Sequence, residues 1–298
     1  MAKAREITKR RKAVRNIYKI TRVMQMVATA RFQRALKRAK GTRPYLDKLD
    51  AIVKDTLLGA QGSAELQRHP LLASRTPCRR TAILVVTSNR GLAGGYNSQI
   101  LRVAMQNIRQ LEEAGQQVDI HVAGRKGAAY FRFARREVKA AYTGISDNAT
   151  FEEVLPVAQA LMDDFANQTV DAIKIVYMRF ISVGQQKATT VEVLPVQALE
   201  INDPAKSRPS RLDACSEYSP DAGELLVSLV PTMVRATTFQ AFVDASVSEQ
   251  IARMMAMSAA TENADSMIKH LTREYNRARR SQITSELSEL MGGVEALK

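Results

Sequence analysis

The sequence predicts an α/β protein in which two long terminal helices pair as a coiled coil and flank a layered, mostly parallel α/β domain. Three observations carry this. Heptad-spaced apolar residues run through the first forty and the last sixty residues. Between them, short β-rich runs alternate with amphipathic helical segments. The charge is also segregated: fourteen Lys and Arg against the single acid Glu6 place +13 of the formal +14 in the first forty residues, leaving the remainder nearly neutral.

The N-terminal element, residues 1–58, carries the stripe Val14, Ile17, Thr21, Met24, Ala28, Arg31 and Ala35, in alternating steps of three and four. A second apolar line, Ile20, Val23, Val27 and Ala30, widens it, so one face suits a partner helix and another can touch a surrounding surface. Gly41 and Pro44 are expected to bend or interrupt the helix, because proline removes an amide donor and crowds the preceding turn. A further periodic segment runs from Tyr45 to Leu58.

Residues 59–223 form the expected α/β domain. Its first part, 59–80, reads as loop from Gly59, Gly62, Pro70 and Pro77. Thr81–Ser88 is a buried-strand pattern, followed by a glycine-rich turn and a helix from Ser98 to Glu113. Val118–Gly124 predicts a strand and Phe151–Phe165 a helix, while Val170–Phe180 and Ala188–Val196 predict a hairpin. Residues 202–223, with three prolines, read as a linker. From 224 to 298 the chain is helical. Val247, Met254, Thr261, Ile268, Tyr275 and Gln282 lie seven apart, as do Met257, Ala264, Leu271 and Ala278, before the apolar line shifts to Ile283, Leu287, Leu290, Val294 and Leu297. The run from Gln240 onward, at 1.5 Å per residue, is about 85 Å long, so it is expected to project from a domain of this size.

Candidate chemistry is thin. The turn holding Gly91, Gly94 and Gly95 follows a strand and precedes a helix, where backbone amides can hold phosphate, but it matches neither the dinucleotide fingerprint nor a P-loop. It reads as a tight structural turn. His69, His121 and His270 have no metal-ligand spacing and read as solvated or satisfied. No nucleophile elbow is present, and the acidic pairs read as helix surface, so no catalytic residue, metal ligand or cofactor site is assigned. Met24, Met254 and Met257 lie on the heptad lines as filler, whereas Met26 and Met255 lie off them and are expected to face a partner. Cys78 and Cys215 match no redox or metal spacing, and no apolar run is read as membrane-spanning. A sequence pI near 10 raises a basic coiled-coil nucleic-acid binder as the alternative, but the basic helix offers only Tyr18 and Phe32 for stacking.

Three motifs carry a resemblance over essentially the whole chain. The N-terminal run IYKITRVMQMVATARFQRA, the turn SNRGLAGGYN and the C-terminal ARMMAMSAATENADSMIKHLTREYNRARRSQITSELSELMGG are similar to those of the gamma subunit family of the F-type ATP synthase. Asn89, Ala93 and Tyr96 stand where that family commonly has Asp, Cys and Phe, and Arg280 where it usually has Gln. The resemblance implies an antiparallel coiled coil with a Rossmann-like domain, and a non-catalytic rotor shaft in a proton-translocating complex. Its implied partners are the alpha and beta subunits, the epsilon subunit and the membrane c-ring, with no nucleic acid. By position in the motifs, Lys19, Arg22, Met24, Arg31, Arg279, Arg280 and Thr284 are the implied contacts to beta-subunit loops. A heptad pattern starting by Ile7 leaves almost no room for a presequence, which favours a bacterial source; with it the resemblance implies the cytoplasmic side of a bacterial inner membrane, peripheral through partners.

Overall fold

A computed structural model describes residues 2–59, 71, 75, 77–195 and 222–295. The expected linker at 202–223 and most of the expected loop at 59–80 lie outside these residues, as do Cys215 and His69. The chain forms two compact units, Met1–Ala30 with Arg253–Lys298, and Arg31–Ala252. Helix α1 (Ala2–Gly59) and the C-terminal helix Ala222–Glu295 contribute to both.

In the first unit the two helices run antiparallel. Thr21 and Thr261 meet through their hydroxyls at 2.9 Å, and the Arg11 guanidinium lies 4.9 Å from the Tyr275 ring centroid, so position rises along one helix as it falls along the other. Val14, Thr21 and Ala28 are buried at heptad spacing against a helix that buries Met257, Thr261 and Ala264. Thr261 Oγ1 also lies 2.7 Å from the Met257 carbonyl, so the polar rung at the seam is internally satisfied. Half of the expected stripe is not a seam: Ile17 is 52% exposed, and Ile20, Val23 and Val27 are exposed as well. A single partner helix covers only one line of α1.

The expected break at Gly41 and Pro44 does not occur, since α1 runs through Pro44 to Gly59. Proline costs a helix interior about 3 kcal/mol. Packing on both sides offsets it: Ala35 and Ala39 are buried with Val243, Val247 and Ile251, while Leu49 and Val53 are buried in the main core beyond. Thr42 adds a cross-helix hydrogen bond to Gln240 Oε1 at 3.0 Å.

The second unit holds the sheet. Strand β1 (Arg80–Val86) leads through the glycine-rich turn to α2 (Tyr96–Glu113) and β2 (Gln117–Ala123); then follow α3 (Arg125–Phe133), β3 (Ala140–Tyr142), α4 (Phe151–Ala166), β4 (Ala172–Ser182) and β5 (Gln185–Leu194). The C-terminal helix is α5 (Ala222–Glu295). The strand order is β3-β2-β1-β4-β5, with β4 and β5 antiparallel and the other pairs parallel, a Rossmann-like arrangement with a hairpin edge. Helix α3 and strand β3 have no counterpart in the sequence reading. The helix has nine residues with Gly127 in its first turn, and the strand has three, too few for either period to register.

Alternation explains why β1 reads as an unbroken apolar run. Ala82, Leu84 and Val86 face the core built with α4 and α5, while Ile83 and Val85 face the core built with α2 and Phe131. Both faces are covered, so no polar residue is required between them. In α5, one window of 18 residues within Leu225–Gly293 reaches a mean hydropathy of 1.3, enough by composition for a membrane span where the sequence reading expects none. The helix uses Leu226, Val230, Val234 and Phe242 to complete the core instead.

Candidate functional site

Two surfaces stand out, one in each unit. On the paired helices of the first, Lys19 and Arg22 are exposed, Met24 is half-buried, and Arg279, Arg280 and Thr284 are exposed. Thr284 turns its hydroxyl back to the Arg280 carbonyl at 3.0 Å, as a helical threonine does when no partner competes. Among the described residues only Arg10 of the basic side chains from Arg5 to Arg22 forms an ion pair, with Glu6 at 2.7 Å. Among the described residues the positive charge from Arg5 to Arg22 is therefore largely unpaired, and it is interleaved with exposed Ile17, Ile20, Val23 and Met26. Met255 is also exposed, as its position off the heptad lines predicts. On α5 the phase-shifted residues Ile283, Leu287 and Leu290 are exposed, so the shift marks the end of the buried seam.

In the second unit the glycine-rich turn spends its polar groups on its own geometry. The Ser88 amide donates to Asn97 Oδ1 at 3.1 Å, and Asn97 Nδ2 donates to Ser88 Oγ at 2.8 Å. Tyr96 donates to the Ala245 carbonyl at 3.2 Å, fastening the start of α2 to α5. Gly94 adopts φ +55°, whereas a Cβ on Gly91 or Gly95 would meet nothing nearer than 3.6 Å. The severe approaches lie elsewhere, at Gly124 and Gly127, where a Cβ would meet Thr87 O at 2.2 Å and Thr87 Oγ1 at 2.7 Å. Sequence reasoning missed both because neither sits in a glycine cluster.

Beside that turn lies a cavity of about 520 Å³. Its cationic lining comes from Arg31 and Arg34 of α1, Arg90 after β1 and Arg125 at the start of α3; Asp147, Ser246 and Gln250 complete its polar wall. Asp147 sits 3.7 Å from Arg31 and 3.4 Å from Arg90. Arg31 is thus drawn toward a carboxylate of its own unit, unlike the other basic residues of the implied contact set. Asn89 donates to the Ile145 carbonyl at 2.7 Å and accepts from the Arg125 amide at 3.2 Å, fixing this wall.

Of the histidines, His270 is exposed and His121 is buried with neither ring nitrogen hydrogen-bonded among the described residues, contrary to the expectation of a solvated or satisfied group. Burial, and then the Lys139 charge, hold its pKa below the usual value, so the neutral ring is the favoured form.

The family model described as ATP synthase matches residues 3–297. The chain is 40% identical over 299 residues to the ATP synthase gamma chain of Rhodopirellula baltica and 38% identical over 297 to that of Leptospira biflexa, with all of each chain covered. The chain belongs to the ATP synthase gamma chain family. Its role is that of the central-stalk rotor of an F-type ATP synthase, a non-catalytic subunit of a membrane-associated ATPase complex. Solved structures agree on the fold. A chain from the Euglena gracilis mitochondrial ATP synthase superposes with a TM-score of 0.65 at 18% identity, covering 99% of this chain and 95% of that one. A central-stalk chain from the Tetrahymena thermophila mitochondrial enzyme gives 0.60 at 19% identity, covering 81% and 99%.

Proposed function

We propose that this gamma-family chain transmits rotation of a membrane c-ring to the alpha and beta subunits, with epsilon docked beside it, on the cytoplasmic face of a bacterial inner membrane. In this reading residues 1–58 and 224–298 form the shaft and residues 59–223 the globular part. The exposed basic and apolar side of the paired helices carries the proposal. A rigid element whose sides differ chemically presents a different surface to each surrounding subunit as it turns, so it biases their binding states in sequence. That is a coupling free energy between remote sites, and it requires no bond chemistry in the chain itself.

Lys19, Arg22, Met24, Arg31, Arg279, Arg280 and Thr284 are the contacts proposed for beta-subunit loops. The unneutralised cations favour acidic loops, and their attraction also steers assembly. In complexes reassembled with Lys19→Glu and Arg22→Glu together, proton pumping per ATP hydrolysed is expected to fall at least about twofold, or assembly to become strongly salt-dependent. Both side chains are exposed, so the isolated chain should melt as the parent does. Normal assembly with unchanged pumping per ATP would remove these residues from the coupling surface.

A further inference from the structure

We propose that the arginine-lined cavity binds a phosphoryl group bearing a P–OH, as hydrogen phosphate does and as the terminal phosphate of a nucleotide does in its protonated form. Its position is the first argument. Asn89 and Arg90 follow β1, Arg125 follows β2 and Asp147 lies on the segment after β3, so the cavity opens at the carboxyl ends of three parallel strands. Open parallel sheets place their ligand crevices there.

Charge is the second argument. Arg31 and Arg90 share one carboxylate, and the guanidinium groups of Arg34 and Arg125 have no ion pair or hydrogen bond among the described residues. Cations gathered in a concave site without counter-charge favour an anion, and guanidinium forks match phosphoryl oxygens in geometry. The first amides of α3 do not supply this attraction: Arg125 N–H donates to Asn89 Oδ1, Lys126 N–H to Ser88 O and Gly127 N–H to Thr87 Oγ1. The arginines carry it.

A buried acceptor selects the anion. Gln250 is only 2% exposed, and its Oε1 has no hydrogen-bond donor among the described residues. An unmet buried acceptor costs about 1–3 kcal/mol. Gln250 lines the cavity, and a turn of its side chain brings this acceptor to a bound P–OH, which a fully deprotonated oxyanion lacks; Asp147 is already held by Arg31 and Arg90. Sulfate has no proton to donate near neutral pH, whereas phosphate has one. The volume of about 520 Å³ exceeds what one phosphate fills and leaves room for a nucleoside.

Titration calorimetry of the full-length chain at fixed ionic strength tests the site with sodium phosphate, sodium sulfate and ADP as probes. Phosphate is expected to bind saturably, and sulfate at least about tenfold more weakly. Arg34→Gln with Arg125→Gln, both at exposed positions, should weaken phosphate at least about tenfold without lowering the melting temperature. Gln250→Leu should bring phosphate and sulfate together. ADP binding more tightly than phosphate assigns the site to a nucleotide, and weaker ADP binding assigns it to free phosphate. The proposal is overturned if neither phosphate nor ADP gives saturable heat, if sulfate equals phosphate on the parent chain, or if the arginine pair can be removed without effect.

Discussion

Gly124→Ala is expected to destabilise the α/β unit by about 4 kcal/mol or more, enough to unfold a marginal domain. Gly124 ends β2 at φ +98°, a conformation that side chains rarely adopt, and an added Cβ would sit 2.2 Å from the Thr87 carbonyl oxygen. Neither strand end can retreat. Thr87 N–H donates to Ala123 O at 2.8 Å, Thr87 Oγ1 lies 2.8 Å from the same carbonyl, and Gly124 N–H donates to Tyr142 O at 3.1 Å. Three strands are therefore tied together where the methyl would intrude. Gly91→Ala is the matched control, expected to cost less than about 1 kcal/mol because its new methyl would meet only the flexible Lys126 side chain at 3.6 Å. Urea denaturation of the two variants checks the difference. Equal midpoints would mean that β2 and α3 reposition freely.

Asp244→Asn should stabilise the chain at pH 7.5 and have little effect near pH 4. Asp244 is 6% exposed on α5, and burial raises its pKa from 3.8 to about 6 against the favourable pull of the Gln240 amide, Arg43, Arg179 and the Phe180 amide. Gln240 Nε2 donates to it at 2.8 Å, and the buried Tyr177 hydroxyl, itself pushed up to about 12, faces it beside the two arginines. A carboxyl whose folded pKa exceeds its unfolded value contributes stability that is complete below about pH 4 and lost as the pH rises through about 6. A shift of this size corresponds to roughly 2–3 kcal/mol at pH 7.5. Asparagine removes the ionisation and keeps an oxygen for Gln240. The measurement is the urea midpoint of parent and variant at pH 7.5, 6 and 4.5, with the gain expected to shrink at each step. A constant offset, or destabilisation at pH 7.5, would refute burial as the dominant cause.

Much of the fold was legible because its strongest patterns are long. The heptads through Thr261, Met257 and Ala264 identify the buried line of α5. The run Thr81–Val86 reads as a strand covered on both faces, and the hairpin of β4 and β5 appears where two β-rich runs adjoin. Short or interrupted elements were not legible, and neither was the survival of α1 through Pro44, since a local breaker yields only to packing that the local sequence does not display. The basic contact surface was visible as a charge count. The cavity was not, because Arg34, Arg125, Asp147 and Gln250 lie on four separate segments.

By itself the sequence determined where the long helices and the main strands run, which lines of each terminal helix are apolar enough to bury, and how completely the positive charge is confined to one helix. Periodicity and composition are local properties, and they survive any arrangement of the rest. Only the tertiary structure decided which of the two apolar lines of α1 stays open, which glycines have no room for a methyl group, and which arginines share a cavity with an unmet acceptor. Those depend on contacts between segments far apart in the chain. The difference matters most in the basic helix, where residues alike in sequence separate in space. Lys19 and Arg22 stay exposed, while Arg31 lies beside Asp147 at the mouth of a cavity.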